Sequence, residues 1–455
     1  MVGAESGEAS FRDCFATPLA IKGLSAGGNG DVATGRLSVD KLRVNFGGPQ
    51  LAATARLERK EGQRQVTVQA ELLAMPMDAL HDYWTPKLAP DAQGWVTTNL
   101  SKGIADKATL DIALMQDDAT GAVRIEKLGS VIDFQDISVD YFPPLPQVTG
   151  VDGQATYDAD NFNLKITSGT LQDMKVSKSD IKISNLKAAT LPNDHAKIDI
   201  DVTLAGPLKT ALAVIDSEPL KYPTQLGLQS KDVGGQASVD VSFAFPLTKA
   251  LEIDDVVVSA DASVSDASLP DIVAGQTLAG GPYRVLLDKG RLSVDGNGTF
   301  GGAPIKLDWS KDFNESAKEA MALKATLTAA PQQLAAFGVP EALKAEGFMP
   351  LEVAYNEQPD GNGTLDLKGD LTPLAFTIDA LSYTKTSGAP GALLLTAALE
   401  KQEITAITAI NLTAPDLTVQ GKAGFSDGVL NSASFSNFKF GQTEAAAEIT
   451  TPATG

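Results

Sequence analysis

The sequence predicts an all-β protein with few short helices, in which an elongated, curled antiparallel β-sheet forms an open apolar groove. Apolar and polar residues alternate with a period of two along most of the 455 residues. Glycine (41) and proline (24) are plentiful and aromatic residues make up only 6%, which suits many strands and turns. Such strands have one dry and one wet face, as in antiparallel sheets, whereas parallel sheets need continuous apolar strands.

The clearest strands direct aliphatic side chains to one face. The joins KEGQ, DADN, DGNG, PDGNG and SDG contain residues that accept positive φ, so they are predicted hairpin turns. About two dozen strands follow from this pattern and would form one array over residues 1–455, about 110 Å long. The candidates for lining its groove are Val66, Val68, Leu72, Ile198, Ile200, Val202, Leu204, Leu292, Val294, Leu365, Leu367, Leu417 and Val419.

Helical patterns occur at residues 76–84, 90–100 and 331–343, and each begins at a proline, which suits the first turn of a helix. The first two make a short helical insert over residues 76–100. Trp84 and Trp95 are expected to anchor this insert at one end or rim of the groove. Three short helices cannot cover the sheet, so it either closes and packs its own dry face or leaves an apolar channel.

The charge balance excludes several classes of partner. The chain has 37 Lys and Arg against 57 Asp and Glu, a net charge of −20. A nucleic-acid-binding protein needs a basic surface to neutralise phosphates, so no nucleic acid is expected. Docking of a basic patch on anionic lipids is disfavoured for the same reason. The negative charge favours a soluble monomer.

Few residues are suited to catalysis. The single cysteine, Cys14, allows neither a disulfide nor a cysteine metal site within the chain. The two histidines, His81 and His195, lack the spacing of a paired zinc motif and are not expected to be catalytic. Carboxylate pairs for glycoside hydrolysis remain open in principle, but no pair is distinguished. The sequence therefore predicts no cofactor, no metal and no enzyme.

Three motif matches have simpler explanations. GLSAG at Gly23–Gly27 matches a nucleophile elbow and GNGDVA at residues 28–33 resembles a dinucleotide fingerprint. Neither lies between a strand and a helix, so both are predicted to be a flexible hairpin loop. Asp158–Asn161 and Asp295–Thr299 suggest calcium, but they lack the other ligands of a calcium loop and are predicted to be turns.

Targeting signals are not visible. The first fifteen residues have no apolar core of a signal peptide. The longest apolar stretch, Gly391–Leu399, is far below the roughly 20 residues that span a bilayer. The chain ends within a predicted strand, so we expect it to be a piece of a longer protein.

Several segments resemble AsmA-like proteins of the YhdP branch. Met77–Leu114 contains a Trp-Pro pair with Thr85 inserted between its members, a second tryptophan and an Asn-Leu…Gly turn. Phe134–Leu171 is similar to the segment that follows, with a proline-rich approach and a Ser-Gly turn. The resemblance is best over about residues 70–350. Its further segments are Ala205–Leu228, Gly234–Leu247 and Leu292–Trp309.

The resemblance implies a non-enzymatic β-groove in the Gram-negative cell envelope. Members of this family are thought to be anchored in the inner membrane by an N-terminal helix, which we do not expect within this sequence, and to cross the periplasm. Phospholipids would pass between the inner and outer membranes, with their acyl chains on the apolar inner face. The resemblance thus implies phospholipid acyl chains as ligands and a role in outer-membrane biogenesis.

A second hypothesis needs no ligand. The same aliphatic residues could form the dry, self-packed core of a structural or adhesive β-solenoid. A one-sided apolar sheet exposes more than the few hundred Å² that monomers usually tolerate, so it must be covered by itself, a partner or a ligand. Acyl chains suit such a surface, because burying each CH2 gains about 0.8 kcal/mol without any specific residue.

Overall fold

The computed structural model is 69% strand and 9% helix, which confirms the predicted all-β class. Among the residues that the structure describes, twenty-five strands form one antiparallel sheet that is not closed. The contacts divide the chain into two compact units, and the prediction of a single array over residues 1–455 stays a prediction. The described residues are 2–10, 18–31, 34–60, 62–85, 89–187, 195–218, 220–228, 232–248, 251–252, 255–273, 275–314, 317–336, 344–426 and 428–450.

Unit 1 contains Met1–Gly206, Ala213–Lys221 and Asp240–Val257. Its insert begins with a 3-10 turn at Met77–Ala79. The strands and helices up to the end of its long first segment are β1 (Val2–Ala4), β2 (Gly7–Ala9), β3 (Leu19–Ile21), β4 (Gly23–Asp31), β5 (Arg36–Asn45), β6 (Gln50–Lys60), β7 (Gln63–Pro76), α1 (Leu80–Tyr83), α2 (Pro90–Asn99), β8 (Leu100–Ser101), β9 (Ile104–Asp117), β10 (Val123–Val139), β11 (Val148–Asp158), β12 (Phe162–Leu171), β13 (Met174–Ser184) and β14 (Lys197–Pro207).

Unit 2 contains Pro207–Leu212, Tyr222–Val239 and Val258–Gly455. It includes a 3-10 turn at Asp379–Leu381. The elements of the rest of the chain are α3 (Leu208–Ile215), α4 (Tyr222–Gln225), β15 (Gly234–Pro246), β16 (Val257–Val273), β17 (Gln276–Asp288), β18 (Arg291–Phe300), β19 (Ala303–Asp312), β20 (Met321–Ala329), α5 (Pro331–Ala336), β21 (Glu346–Gly347), β22 (Met349–Glu357), β23 (Asn362–Asp370), β24 (Leu374–Ile378), β25 (Tyr383–Lys385), β26 (Ala392–Glu400), β27 (Glu403–Ala414), β28 (Leu417–Ser426), β29 (Val429–Phe440) and β30 (Thr443–Thr450).

Antiparallel neighbours follow one another almost in chain order. In unit 1 the ladder runs β1–β4–β5–β6–β7–β9–β10–β11–β12–β13–β14, and β2 pairs with β3 as a separate hairpin. In unit 2 the ladder runs from β16 through β20, then β22, β23 and β26 through β30. The short strands β21, β24 and β25 pair with one another instead.

The predicted acidic turn DADN is a hairpin turn built on its own side chains. One Asp158 carboxylate oxygen accepts hydrogen bonds from the backbone N–H groups of Asp160 and Asn161, each at 2.8 Å. These bonds favour the ionised form and lower the pKa of Asp158. Asp360 accepts a similar bond from the Asn362 N–H, at 2.9 Å, in the PDGNG turn. Both aspartates thus stabilise the hairpin turns in which they lie.

Two glycine-rich segments predicted to be turns or loops are strands. Gly23–Asp31 forms β4, so the predicted flexible loop is wrong there, while residues 32 and 33 lie outside the described residues. The DGNG segment lies inside β18, and the hairpin turn is at Gly301 and Gly302, where φ is positive. The DGNG segment is a strand because Tyr283 of the neighbouring strand lies over it. A Cβ atom on Gly298 would come within 1.9 Å of the Tyr283 hydroxyl oxygen, so β18 needs glycine at this position.

The predicted helices form close to their expected bounds. Residues 76–84 give the 3-10 turn and α1, residues 90–100 give α2, and α5 covers the start of the third pattern, whose residues 337–343 lie outside the described residues. Helix α3 was not predicted from the sequence. Its signal is present, because Leu208, Ala211 and Leu212 have helical spacing and pack against one cluster in unit 2.

We expect Gly153→Ala to destabilise unit 1. A Cβ atom there would lie 2.3 Å from the Lys165 carbonyl oxygen and 2.8 Å from the Phe134 ring. Relieving this overlap should cost about 1–3 kcal/mol. The control is Gly129→Ala, whose Cβ would lie 4.0 Å from its nearest neighbour, and which should change stability by less than about 0.5 kcal/mol. Urea titration followed by circular dichroism measures both, and equal midpoints would contradict the expectation.

A buried lysine lies in the small sheet of unit 2. The Lys385 side chain is 1% exposed, and its Nζ donates to the carbonyl oxygens of Leu374 (3.0 Å), Thr386 (3.3 Å) and Thr372 (3.5 Å). Burial lowers the pKa of Lys385, and nearby Asp370 opposes this shift. Between this lowered pKa and 10.5 the unfolded chain binds the proton and the folded chain does not. Stability therefore rises with pH across that window.

We expect the free energy of unfolding of the wild-type protein to rise with pH in this window, relative to that of Lys385→Met, which has no group to titrate. Urea unfolding at pH 7.5 and pH 10 measures the difference between the two proteins. Lys368→Met is the control, since that side chain is 67% exposed and its removal should leave the pH dependence unchanged. A difference between wild type and Lys385→Met that falls with pH would contradict the assignment.

Candidate functional site

One row of apolar residues crosses every strand of the unit 1 ladder. Each member stands directly opposite the next on the neighbouring strand, so all of them share one side of the sheet. We call this side the apolar face of unit 1. The row consists of Ala4, Leu24, Val44, Leu51, Leu72, Ala108, Ile132, Ala155, Leu164, Ile181 and Ile200.

Parallel rows widen this face. Towards the β6–β7 turn, Val68 stands between Ala55 and Ile112. Nearer that turn, another row joins five strands through Leu37, Leu57, Val66, Leu114 and Ile125. Several rows of aliphatic side chains therefore lie side by side.

The other side of the same strands is polar. A row of Ser25, Arg43, Ala52, Glu71, Thr109, Val131, Thr156, Asn163, Lys182 and Asp199 stands one residue away from the apolar row. An ion pair of 2.6 Å joins Lys107 to Glu71 there, and Gln154 donates to Asp133 at 2.7 Å. The alternation of apolar and polar residues in the sequence thus produces one apolar side and one polar side of the sheet.

Unit 2 has an apolar face of the same kind, with three complete rows across twelve strands. The first row is Ala262, Val285, Val294, Trp309, Leu323, Tyr355, Leu365, Ala397, Ile407, Ala423, Ala433 and Ile449. The second includes Leu307, Val353, Leu367 and Leu395, and the third includes Ile305, Leu351 and Val419. The opposite side carries polar residues such as Arg284, which pairs with Asp261 at 2.7 Å.

The helical insert covers one end of the unit 1 face. Met77 is buried there with Met75 and Phe134, and Leu80 and Val96 of the helices pack against the same cluster. At the other end of the strands the face is open to solvent: Leu37 is 53% exposed and Ile125 is 56% exposed. The apolar face of unit 1 is therefore closed at one strand end and accessible at the other.

The apolar face of unit 2 is also covered at one strand end. Its small sheet and α5 contribute Leu334, Leu374, Phe376 and Tyr383 to a cluster that buries one end of the face. Towards the other strand end, Ile404 is 44% exposed, but Tyr355, Ala397 and Leu399 form a second buried cluster beside it. The Tyr383 hydroxyl donates to the Pro415 carbonyl oxygen at 2.8 Å, which ties the small sheet to the main sheet.

The register brings most of the predicted lining residues together. Twelve of the thirteen stand opposite an apolar residue of a neighbouring strand, and Val202 lies opposite the irregular step between Ser177 and Asp180 on β13. Leu417 is 2% exposed and enclosed by its own protein, while the other twelve are partly exposed. That these residues line a groove for ligand stays a prediction.

The two tryptophans of the insert differ from the buried anchors. Trp95 is 50% exposed, and Val96 rather than Trp95 is the α2 residue that packs against the buried cluster. Trp84 is half-buried after the end of α1. In α1 both Leu80 and Tyr83 pack against the buried cluster, and the Tyr83 ring lies edge-on to Phe46 at 5.4 Å between centroids. The anchoring role of the tryptophans stays a prediction.

In the part of the chain that the structure describes, histidine and cysteine side chains do not gather at the apolar face. His81 lies on the surface of the insert, where its ring nitrogens contact the Asp78 carbonyl oxygen at 3.1 Å and the Asp82 carboxylate at 3.2 Å. His195 is exposed before β14, and Cys14 lies outside the described residues. Within the described ranges, no group of three or more His, Cys, Asp or Glu residues could hold a metal ion. No helix of those ranges is long and apolar enough to cross a membrane.

The architecture defines a class: an open antiparallel sheet with an apolar face in each unit. The profile of the YhdP protein family matches residues 4–452, so the chain belongs to the YhdP family. The match extends beyond residues 70–350, where the segment resemblance is best. The comparison with curated proteins gave no match.

We expect Val96→Ala to destabilise the protein more than Trp95→Ala, because Val96 packs against the cluster and Trp95 is half exposed. The valine change should cost about 1–2 kcal/mol. The tryptophan change should cost well below the about 3–5 kcal/mol of a buried tryptophan. Chemical denaturation of both variants gives the comparison. A larger loss for Trp95→Ala would show that Trp95 is the main anchor of α2.

Proposed function

We propose that the apolar face binds acyl chains and that the protein conducts phospholipids between the inner and outer membranes without catalysing a reaction. The observation that carries this proposal is the set of unbroken apolar rows, which run across every strand of each ladder while many of their side chains remain partly exposed. Membership of the YhdP family supports a role in lipid transport.

The physical chemistry of the face suits a mobile ligand. Each CH2 group of an acyl chain that leaves water gains about 0.8 kcal/mol. This gain is non-directional, so it changes little as the chain moves from one strand to the next along a row. Transport along the rows then requires no residue that recognises a particular position of the lipid.

The proposal includes a location and an assembly state. The protein would act as a monomer in the periplasm, anchored to the inner membrane through another segment of the full-length protein. The headgroup would remain in water at the open strand end, while the closed end, filled by Met77 and Phe134 in unit 1, leaves no room for it. Neither a cofactor nor a nucleic acid is part of this function.

The structural solenoid hypothesis has support of its own in the clusters that the protein packs by itself. Ala397 is 0% exposed, Leu417 is 2% exposed and Tyr355 is 7% exposed. If the whole face were packed in this way, no ligand would be needed. A charge placed on the partly exposed rows distinguishes the two hypotheses.

We expect Val68→Asp to abolish binding of an acyl ligand while the protein remains folded. The Val68 side chain is partly exposed between Ala55 and Ile112 on the apolar face. A charge at this position would therefore contact a bound acyl chain rather than be buried in a closed core. The control is Val131→Asp on the polar face, where the valine is 37% exposed, and binding should be unchanged. Fluorescent fatty-acid titration and mass spectrometry of co-purified lipid measure binding, and circular dichroism measures folding.

Unfolding of Val68→Asp alone would favour the self-packed solenoid, because an unpaired buried charge costs several kcal/mol. Wild-type protein that neither co-purifies with phospholipid nor binds the fatty acid would contradict the proposed function. So would a folded Val68→Asp protein with unchanged binding.

A further inference from the structure

An arginine pair stands at the open end of the unit 1 face. Arg59 and Arg64 are directly opposite each other on β6 and β7, next to the turn that joins these strands. Arg59 lies two residues after Leu57, and Arg64 lies two residues before Val66, in the apolar row nearest the β6–β7 turn. The β6–β7 pairing contains no bulge. Because side chains alternate along a strand, both arginines share the side of the apolar face, about 7 Å beyond its end.

One carboxylate holds both guanidinium groups. An Asp118 oxygen lies 2.7 Å from Arg59 Nη2, and its other oxygen lies 2.7 Å from Arg64 Nε. The Asp118 side chain is only 13% exposed, and its backbone N–H donates to the Gly62 carbonyl oxygen at 3.0 Å. The β9–β10 turn therefore fixes the carboxylate between the two arginines.

The charges of this cluster do not balance. Like charges directly opposite each other on neighbouring strands are destabilising, and a single carboxylate neutralises only one of the two. The neighbouring Asp117 carboxylate accepts bonds from the Thr120 N–H (2.8 Å) and hydroxyl (2.9 Å) and the Ala119 N–H (3.0 Å) of its own turn, which also lower its pKa. Glu58 lies on the polar side, opposite Gln65. Among the described residues, Arg59, Arg64 and Asp118 together carry one net positive charge at the end of the apolar face, because Glu58 and Asp117, which is opposite Gln63, lie on the polar side.

The arginines retain donors for a ligand. Their side chains are 57% and 50% exposed, and a guanidinium carries several N–H donors besides the nitrogen that lies at ion-pair distance from Asp118. Arginine forks match the geometry of phosphate oxygens, and such charge-assisted bonds are strong.

We propose that Arg59 and Arg64, oriented by Asp118, bind the phosphodiester of a lipid headgroup whose acyl chains lie on the adjacent apolar rows. The phosphate takes the remaining positive charge, and the acyl chains cover Leu37 and Ile125, which are 53% and 56% exposed in the row just inside the arginines. This inference rests on the proposed function, because it requires acyl chains on the face. It adds a fixed point at which an anionic headgroup enters or leaves the rows.

The test compares the double variant Arg59→Gln/Arg64→Gln with the wild type and with Arg124→Gln. Arg124 is a matched control, since it is 70% exposed, pairs with Glu126 at 2.8 Å, and stands opposite Met115 on the other side of the sheet. The probes are a short-chain phosphatidylglycerol, a diacylglycerol with the same acyl chains, and inorganic phosphate. Binding is measured by calorimetry at low and high salt, and folding by circular dichroism.

We expect the double variant to bind phosphatidylglycerol at least about tenfold more weakly. It should bind diacylglycerol as the wild type does, and Arg124→Gln should bind both probes normally. The wild-type affinity for phosphatidylglycerol should fall with salt, and inorganic phosphate alone should bind far more weakly than the phospholipid. The double variant Arg59→Lys/Arg64→Lys, which keeps both charges without the planar fork, should recover part of the affinity.

Equal phosphatidylglycerol affinity in the wild type and the double glutamine variant, with diacylglycerol still bound, would overturn the headgroup site and leave the proposed function intact. Loss of affinity for both lipids in the double variant would also overturn it. Inorganic phosphate that binds as tightly as the phospholipid would show an anion site unconnected with lipid. Failure of the wild type to bind either lipid would instead contradict the proposed function.

Discussion

The register of the antiparallel ladders is the constraint on which this structure depends. A slip of one residue between two strands would move every aliphatic side chain of one strand to the polar side. Where one strand has an extra residue relative to its neighbour, a β-bulge accommodates it and the register continues beyond the bulge. On β13 the step from Ser177 to Asp180 stands opposite the shorter step from Thr203 to Asp201 on β14. Val176, Ser179 and Ile181 are buried or half-buried on either side of this irregularity, so the inner side is kept through it.

Closing one end of each face has consequences for the whole sheet. The insert in unit 1 and the small sheet in unit 2 supply the deeply buried side chains that a one-sided sheet otherwise lacks, among them Met75 at 2% exposure and Leu374 at 5%. These clusters stabilise the covered strand ends, while Leu37 and Ile125 at the other end of the unit 1 face are exposed.

Several acidic side chains stabilise turns of the fold. Asp117, Asp158 and Asp360 accept bonds from their own turns, and these bonds lower the pKa of each carboxyl group. Turns of this kind connect long strands without helices. The net charge of −20 opposes association between copies of the chain. An acidic composition is compatible with the proposed lipid-binding face, because Arg59 and Arg64 supply cations at its open end in unit 1.

The sequence by itself determined the all-β class, the separation of a dry from a wet side and the position of the insert. These features are local: period-two alternation sets the sides of a strand, and proline with a short apolar pattern sets a helix start, as at Pro90. It misassigned Gly23–Asp31 and the DGNG segment, because glycine indicates a turn unless a neighbouring strand lies close to it, as the Ser38 carbonyl does at Gly28 and the Tyr283 ring does at Gly298. Only the tertiary structure decided which end of each face is covered, that Leu417 is enclosed, and that Arg59, Arg64 and Asp118 meet. Asp118 is separated from the arginines by more than fifty residues, and its place between them depends on the pairing of β7 with β9, which no local pattern specifies.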